Sequence, residues 1–213
     1  MAAESDFIRA NTALIAPPLV PEIRLHLATE VVPLWRKTEE ELEAQGVPPP
    51  YWAFAWAGGQ ALARYVLDNR ESVAGKSVLD FGSGSGLVAI AAAKAGAAQI
   101  LAADIDTFAA AAIVLNASAN DIRIDVTRDD VIGRAGDWQT ILVGDMCYER
   151  PLAERLLAWL QICANEGTLV LLGDPGRSYF PKSGIEKLAT YNVQTTRDLE
   201  DREIRETSVY RLA

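Results

Sequence analysis

The stretch Val78-Leu-Asp-Phe-Gly-Ser-Gly-Ser-Gly86 lies between a short apolar run and an alanine-rich run that begins at Leu87. Its glycines, at positions 82, 84 and 86, lack the Cβ atoms that would keep a ligand away from the backbone. A helix that starts directly after such a turn offers free N–H groups to a polar ligand. The stretch therefore predicts a strand, a ligand-binding turn formed by Gly82, Gly84 and Gly86, and a helix, the opening unit of a parallel α/β sheet.

The spacing of these glycines narrows the class of ligand. Dinucleotide-binding folds use Gly-x-Gly-x-x-Gly, but here the third glycine comes one position early and Leu87 stands in its place. Asp80, two residues before the first glycine, would attract the ammonium group of a methionine moiety and repel a phosphate. The combination favours S-adenosylmethionine as the cofactor over a dinucleotide.

Beyond Lys76, short β-branched runs alternate with alanine-rich runs, the pattern of βαβ units. The predicted strands are 77–81, 99–103, 122–126, 140–143 and 168–172, and the predicted helices are 87–95, 108–119 and 152–164. Two more strand-like runs, 192–197 and 208–212, are joined by a charged loop without room for a helix, so they should pair antiparallel. The expected fold is the Rossmann-like seven-stranded methyltransferase fold, an α/β sheet that is mostly parallel, ends in an antiparallel hairpin and carries helices on both faces.

Length and composition limit the organisation of the chain. Its 213 residues fit a single domain, with 1–75 as an N-terminal extension that covers the site and 76–213 as the cofactor-binding core. Half of the residues are hydrophobic and 23% are charged, which is typical of soluble globular proteins. No apolar run approaches the roughly 20 residues that span a bilayer, so no membrane association is expected.

Charge, cysteines and the N-terminus exclude several other classes. The net charge of −9 gives no long-range attraction to nucleic acid. Cys147 and Cys163 lack the close Cys/His pairing of a zinc site, so neither a metal nor a disulfide framework is expected. The first residues resemble neither a secretory signal nor a transit peptide. We expect a cytoplasmic monomer.

Acidic residues also follow the second and third predicted strands. Asp104 stands at the tip of the second strand, where a carboxylate can accept both hydroxyls of a ribose. Asp106 is better placed to cap the following helix. After the third strand, Asp130 is favoured over Asp129 as the acceptor for the adenine amino group, because apolar residues follow it.

The fourth predicted strand ends in Ile141-Leu-Val-Gly-Asp145-Met-Cys-Tyr148-Glu149. Ligands of open α/β sheets bind at the carboxyl ends of the strands, so Asp145 and Tyr148 should face the cofactor. Asp145 is too far from the helix near Pro151 to be its cap. Cys147 lacks the Pro-Cys context of RNA cytosine methyltransferases and is interpreted as a packing residue.

Nearly the whole chain resembles the lysine methyltransferases that carry Asp/Glu-x-x-Tyr/Phe after the fourth strand, and among them the enzymes that modify the β-subunit of electron transfer flavoprotein. The resemblance rests on the stretches Pro50-Tyr-Trp-Ala-Phe-Ala-Trp56-Ala-Gly-Gly59-Gln60, Gly82-Ser-Gly-Ser-Gly86, Gly144-Asp145-Met-Cys-Tyr148 and Gly173-Asp-Pro-Gly-Arg177.

This resemblance implies that Asp145 and Tyr148 hold the target amine, and that Trp56, Gly59 and Gly144 belong to the cofactor pocket. It also implies that the β-subunit of electron transfer flavoprotein is the partner. The sequence lacks the Asn/Asp-Pro-Pro-Tyr/Phe tip of amide and DNA-adenine methyltransferases, which disfavours glutamine, asparagine or DNA adenine as the acceptor. Three alternatives stay open: a lysine methyltransferase of another protein such as a ribosomal one, a nicotinamide-dependent oxidoreductase, and a non-catalytic S-adenosylmethionine-binding protein.

A lysine acceptor sets the chemical requirement. An ordinary lysine has a pKa near 10.4, so forming the neutral amine at pH 7 costs about 4–5 kcal/mol. A carboxylate beside an ammonium stabilises the charged form, so Asp145 would be an inefficient base. We expect Asp145 to attract the lysinium and then align the amine through a hydrogen bond, while Tyr148 forms the wall of the channel.

Overall fold

The computed structural model describes residues 2–28, 49–195 and 203–213. The first elements are α1 (Ala2–Asn11), β1 (Ala13–Ile15), β2 (Leu25–Leu27) and α2 (Ala57–Asp68). They are followed by β3 (Ser77–Phe81), α3 (Leu87–Lys94), β4 (Gln99–Ala103), α4 (Thr107–Ala119) and β5 (Asp125–Thr127). The chain continues with β6 (Thr140–Gly144), α5 (Arg150–Asn165), β7 (Leu169–Asp174), β8 (Ile185–Gln194) and β9 (Ile204–Leu212).

Strands β3 to β9 form one sheet in the order β5-β4-β3-β6-β7-β9-β8. The first five strands in this order are parallel to one another, whereas β9 is antiparallel to both β7 and β8. The sheet order reverses direction at β3, so the ends of β3, β4 and β6 meet at a switch point. The predicted seven-stranded fold with its antiparallel hairpin is confirmed.

The composition of the helices explains how they cover the sheet. Helix α3 and helix α4 are alanine-rich and buried along most of their length, because small side chains let helices pack closely. Helix α3 packs against β3 and β4, and α4 packs against β5 and α1. Helix α5 is amphipathic and buries Leu156, Trp159 and Leu160 against a second apolar cluster on the sheet, together with Ile141 and Leu172. Helices therefore cover both faces of the sheet.

The N-terminal residues reach the carboxyl end of the sheet. A 3-10 turn at Tyr51–Ala53 leads to α2, whose side chains pack into the same core cluster as those of α3. Trp52 is buried with Ile8 and alanines of α4 in a separate cluster. No helix within the described ranges combines the length and apolar character needed to span a bilayer.

Three predicted strands differ most from the structure in their bounds. The strand expected at 208–212 is β9, which already begins at Ile204. The third strand was expected at 122–126, but β5 spans Asp125–Thr127, because the backbone of Ile122 still donates to Ala117 at the end of α4. The first hairpin strand was expected at 192–197, but β8 already begins at Ile185 and ends at Gln194. Residues 196 and 197 lie outside the described residues.

Candidate functional site

A cavity of about 570 Å³ opens at the carboxyl ends of β3, β4 and β6. This volume lies within the range of small-molecule sites, and the position is where open α/β sheets bind ligands. Residues from six parts of the chain line it: Pro49, Tyr51, Trp52, Trp56; Phe81, Gly82, Gly84; Ala103, Asp104, Ile105, Asp106, Ala109; Asp129, Asp130, Val131, Ile132; Gly144, Asp145, Met146, Tyr148, Leu152, Arg155; and Arg177.

The glycine turn brings bare backbone to the cavity. Gly84 has a φ of +53°, and an added Cβ there would meet no protein atom closer than 3.9 Å. Gly82 has a φ of +64° and also lines the cavity. Gly86 does not line it, because this residue faces the Cα atom of Ile113 in α4, 3.3 Å from an ideal Cβ. An ideal Cβ on Gly82 would overlap the sulfur atom of Met146, whereas Gly84 presents bare backbone to the cavity. The cofactor role of both glycines stays a prediction, and Gly86 packs against α4.

Asp80 lies behind the turn and not at the cavity surface. Its Oδ2 atom accepts hydrogen bonds from the Ser83 hydroxyl at 2.6 Å and from the Ala89 backbone N–H at 3.0 Å. Burial raises the pKa of this carboxyl group to about 7. Asp80 is not among the residues that line the cavity, and its carboxylate joins β3 to the turn and to α3. Its predicted contact with the ammonium group of the ligand stays a prediction.

Asp104 lies at the tip of β4 and lines the cavity, as its predicted ribose role requires. Its Oδ2 atom accepts from the Gly84 N–H at 2.9 Å, and its Oδ1 atom accepts from the Asp106 N–H at 3.0 Å. Burial raises the pKa of Asp104. Each carboxylate oxygen has a second lone pair, so ribose hydroxyls can bind without breaking these contacts. The bare backbone at Gly84 and the acceptor pair at Asp104 fit the nucleoside half of S-adenosylmethionine.

The neighbouring acids have other partners. Asp106 accepts a hydrogen bond from the Phe108 N–H at 2.8 Å, which confirms that it caps α4. Asp130 pairs with Arg155 at 2.6 Å, and this hydrogen bond lowers the pKa of Asp130. Asp129 pairs with Arg134 at 2.8 Å. Because Asp129 and Asp130 both line the cavity, the assignment of the adenine contact to Asp130 stays a prediction.

Asp145 follows β6 in an uncommon backbone conformation, with a φ of +60°. Its backbone N–H donates to the Gly173 carbonyl at 3.0 Å. One carboxylate oxygen, Oδ2, accepts from the Gly59 N–H at 2.9 Å. The other, Oδ1, accepts from Nη2 and Nε of Arg177 at 2.8 and 3.1 Å. The carboxylate is therefore fixed in place, and a positive charge compensates its own.

Arg177 reaches Asp145 from the turn after β7. The Oδ1 atom of Asp174 accepts from the N–H groups of Gly176 and Arg177, both at 2.7 Å, and this shapes the turn. Burial raises the pKa of Asp174 to about 7. The guanidinium of Arg177 also lies over the Trp56 ring, 5.6 Å from its centroid. The sequence alone assigned no role to Arg177 beyond its place in the family resemblance, because no sequence pattern links position 177 to position 145.

Aromatic side chains form the rim beside Asp145. The Tyr148 ring lies 5.9 Å from the Tyr51 ring, which in turn lies 6.0 Å from Trp56. The Trp56 indole N–H donates to the Tyr51 carbonyl at 2.8 Å. Burial raises the pKa of Tyr148, so the phenol is neutral. Tyr148 thus forms one wall of the cavity, where the sequence placed it.

The glycines near Asp145 act through backbone packing. Gly144 lines the cavity, as predicted, and an ideal Cβ on it would lie 3.0 Å from the Gly59 Cα. Gly59 does not line the cavity: its N–H binds Asp145 instead. A Cβ on Gly58 would overlap the Gly173 carbonyl oxygen and approach Asp145 Oδ2 to 2.6 Å. The role of Gly58 was missed, because no sequence pattern shows that α2 meets β7.

Other candidate side chains lie apart from this chemistry. Cys147 is buried, as its predicted packing role requires, and desolvation raises the pKa of its thiol to about 12. Among the described residues, no group of three or more His, Cys, Asp or Glu side chains is arranged to hold a metal ion.

Comparison with known proteins places this arrangement in a family. The chain is 45% identical over 186 residues to an electron transfer flavoprotein beta subunit lysine methyltransferase of Danio rerio, covering 85% of this chain and 71% of that protein. It is 41% identical over 211 residues to the Xenopus laevis protein of the same name, covering 96% of this chain and 85% of that protein. The chain belongs to the electron transfer flavoprotein β-subunit lysine methyltransferase family.

Two broader matches cover part of the chain or its fold. A model of ribosomal protein L11 methyltransferase matches residues 60–141, which contain β3, β4 and β5 but end before Asp145. The solved structure of magnesium protoporphyrin IX methyltransferase from Synechocystis with bound SAM has a TM-score of 0.54 and 15% identity, covering 73% of this chain and 78% of that chain. The L11 model therefore ends before Asp145, while the match to the Xenopus laevis protein spans 96% of this chain.

Proposed function

We propose that this protein is an S-adenosylmethionine-dependent protein-lysine N-methyltransferase whose substrate is the β-subunit of electron transfer flavoprotein. One observation carries the proposal: the turn and acid suited to a nucleoside, Gly84 and Asp104, line the same cavity as Asp145 and Tyr148. Cofactor and acceptor residues thus face each other across one space, as a direct group transfer requires.

The residues that would hold the cofactor are Gly82, Gly84 and Asp104, with Asp130 at the adenine end and Trp56 beside the acceptor. S-adenosylmethionine supplies an electrophilic methyl carbon, to which the acceptor nitrogen bonds while the carbon–sulfur bond breaks and its electron pair stays on sulfur. Asp104 binds the ribose through its free lone pairs, and the bare backbone at Gly84 permits close approach.

The acceptor side aligns the amine. Asp145 is held by Gly59 and Arg177 and lines the cavity, so its carboxylate is placed to accept an amine N–H there and to align the nitrogen lone pair. The proton lost by the lysinium goes to solvent, because an arginine-paired carboxylate is a weak base. The positive charge of Arg177 also cancels much of the attraction between Asp145 and the lysinium that was expected from the sequence. Alignment is therefore the main role of Asp145.

The choice of substrate is supported by the family. The relatives that span most of the chain are named for the flavoprotein β-subunit, whereas the ribosomal L11 methyltransferase model matches only residues 60–141. The acceptor tip at Asp145 and Tyr148 lies outside that shorter match. The flavoprotein subunit is therefore preferred over a ribosomal protein.

Intact-mass spectrometry tests the proposal directly. Purified electron transfer flavoprotein is incubated with the enzyme and S-adenosylmethionine, and we expect its β-subunit to gain mass in steps of one methyl group. The control reaction contains ribosomal protein L11 in place of the flavoprotein. Methylation of L11 alone would refute the substrate assignment, and tight cofactor binding without transfer to either protein would indicate a non-catalytic binding protein.

A further inference from the structure

Arg177 connects the acceptor site to the turn after β7. Its guanidinium donates to Asp145 Oδ1 from two nitrogens, at 2.8 and 3.1 Å, and its side chain is only 18% exposed. Asp145 is also largely buried, with 9% of its side chain exposed. Solvent screens such a pair less than a surface ion pair, so its charges act strongly on a third charge that enters the cavity.

A target lysine that approaches Asp145 must come close to Arg177 as well. An unpaired carboxylate would stabilise the lysinium and raise the pKa of the bound amine, which works against methyl transfer. With Arg177 in place, the pair has no net charge, and the guanidinium lies beside the entering ammonium. The neutral amine is then favoured at a lower pH than Asp145 alone would allow.

We propose that Arg177 is a positioning residue that holds Asp145 as a hydrogen-bond acceptor and, by compensating its charge, lets the bound lysine lose its proton near neutral pH. The inference rests on the proposed lysine methyltransferase function. It assigns the Gly173-Asp-Pro-Gly-Arg177 turn a role in the reaction: Asp174 binds the backbone of Gly176 and Arg177 and directs the guanidinium towards β6.

Other ionisable groups have to be separated from this effect. The cavity is also lined by Tyr51, Asp104, Asp106, Asp129, Asp130, Tyr148 and Arg155. Outside the lining, Cys147 and Asp174 interact with Asp145, and Glu149 interacts with Tyr148. Burial raises the pKa of Tyr148 and brings that of Cys147 to about 12, so both are neutral at pH 7. Asp174 has a pKa of about 7 and could itself produce a pH-dependent rate.

The test measures kcat and KM for the flavoprotein acceptor against pH, at saturating S-adenosylmethionine, for wild type, Arg177→Gln and Arg177→Lys. In the plot of kcat against pH, we expect the rising limb of Arg177→Gln to lie at least about one pH unit higher than that of wild type. A unit charge within about 5 Å shifts a pKa by more than this at an effective dielectric near 20. KM should not rise, because the uncompensated carboxylate attracts lysinium. Arg177→Lys keeps the charge and should retain a limb near that of wild type.

Two further variants complete the test. The shift should persist when Arg177→Gln is made together with Asp174→Asn, whose side-chain oxygen still accepts from the turn but no longer titrates. Asp145→Asn should move the limb the opposite way, to lower pH, because it leaves the guanidinium uncompensated. Calorimetry with S-adenosylmethionine checks that each variant is folded.

Three results would overturn the inference: an unshifted limb with a uniformly lower rate in Arg177→Gln, an equal shift in Arg177→Lys, or loss of the shift in the Asp174→Asn background. Each of them leaves the lysine methyltransferase function intact. A wild-type protein that transfers no methyl group to the flavoprotein overturns the proposed function instead, and this inference with it.

Discussion

The Oδ2 atom of Asp145 accepts a hydrogen bond from the backbone N–H of Gly59, 86 positions earlier in the chain, at 2.9 Å. Gly59 lies in the first turn of α2, and Trp56, the N-cap residue of that helix, makes no side-chain capping bond. Asp145 therefore caps α2 from the tip of β6, and its negative charge lies at the positive end of the helix dipole. The carboxylate proposed to align the acceptor amine therefore also stabilises α2.

This double role changes what a substitution of Asp145 measures. We expect Asp145→Ala to reduce methyl transfer by at least about a hundredfold, while S-adenosylmethionine affinity stays within a few-fold. The same change should destabilise the protein by about 1–2 kcal/mol, because α2 loses its cap and alanine tolerates the positive φ less well. Calorimetry, initial rates and denaturant unfolding separate the three effects.

Asp145→Asn is the matched control, since asparagine tolerates the left-handed conformation and keeps an oxygen acceptor for Gly59. It still leaves the Arg177 guanidinium without its carboxylate partner, so its stability should lie between those of wild type and Asp145→Ala, as should its activity. A tenfold or greater loss of cofactor affinity in Asp145→Ala, with normal transfer at saturating cofactor, would assign Asp145 to the cofactor site.

The adjacent glycines provide a paired test of backbone packing. Gly58→Ala would drive a Cβ into the Gly173 carbonyl oxygen, which belongs to the sheet and cannot move away. Gly59→Ala meets no protein atom within 4 Å and replaces a helical glycine, a change worth roughly 0.5–1 kcal/mol in favour of alanine. We expect Gly58→Ala to lower the melting temperature and abolish transfer, and Gly59→Ala to keep both cofactor affinity and activity.

The resemblance assigned Gly59 to the cofactor pocket, and this pair of variants tests that assignment. Strong loss of S-adenosylmethionine binding in a folded Gly59→Ala protein would restore Gly59 to the pocket. Equal stability of the two variants would show that α2 approaches β7 less closely than the structure describes.

Asp104→Ala should weaken S-adenosylmethionine binding by about 1–3 kcal/mol, because the ribose hydroxyls lose a charged acceptor and the Gly84 N–H loses its partner. Isothermal calorimetry measures the affinity, and Asp125→Ala, at an exposed position on β5, serves as the surface control. Unchanged affinity in a folded Asp104→Ala protein would contradict the ribose assignment.

Asp80 should make stability depend on pH. Its pKa is raised from an ordinary 3.8 to about 7, so the folded protein holds a proton that the unfolded chain releases. Stability should therefore decrease as the pH rises from about 4 to about 7. Asp80→Asn removes this titration and keeps an acceptor for Ser83 and Ala89, so its stability relative to wild type should be more favourable at pH 8 than at pH 5.

Urea unfolding at pH 5 and pH 8 measures the difference in free energy of unfolding between Asp80→Asn and wild type. Asp174→Asn serves as a second variant, because Asp174 also has a pKa of about 7. A difference between Asp80→Asn and wild type that is the same at both pH values would show that Asp80 is not protonated in the folded protein.

The sequence determines the centre of this fold better than its edges. β3 and β4 have the predicted bounds, because continuous apolar runs between turn residues are typical of buried parallel strands. β5 and β8 lie at the two edges of the sheet. Edge strands carry polar residues and irregular alternation, as in the exposed positions of Ile185–Gln194, so their bounds do not follow from periodicity.

The candidate site divides in a similar way. Positions at strand tips follow from the topology, so Asp104, Asp145 and Tyr148 line the cavity as predicted. The direction of a side chain depends on neighbours distant in sequence. Asp80 turns towards α3, and Asp145 binds Arg177 from a turn 32 positions later. Sequence patterns place such residues near the site, but they do not reveal which donor forms a hydrogen bond with each carboxylate.

The close packing of Gly58 and Gly59 against Gly144 and Gly173 bears on protein engineering. Among the described residues beside Asp145, an added Cβ at Gly58, Gly144 or Gly173 would lie within 3.0 Å of main-chain atoms, so a larger residue has no room at these three positions. Substitutions at these glycines therefore offer no route to redesign which methyl acceptor the protein prefers. Tyr51 and Tyr148, whose side chains are 51% and 44% exposed, are the positions at which a library could reshape the entrance without displacing α2.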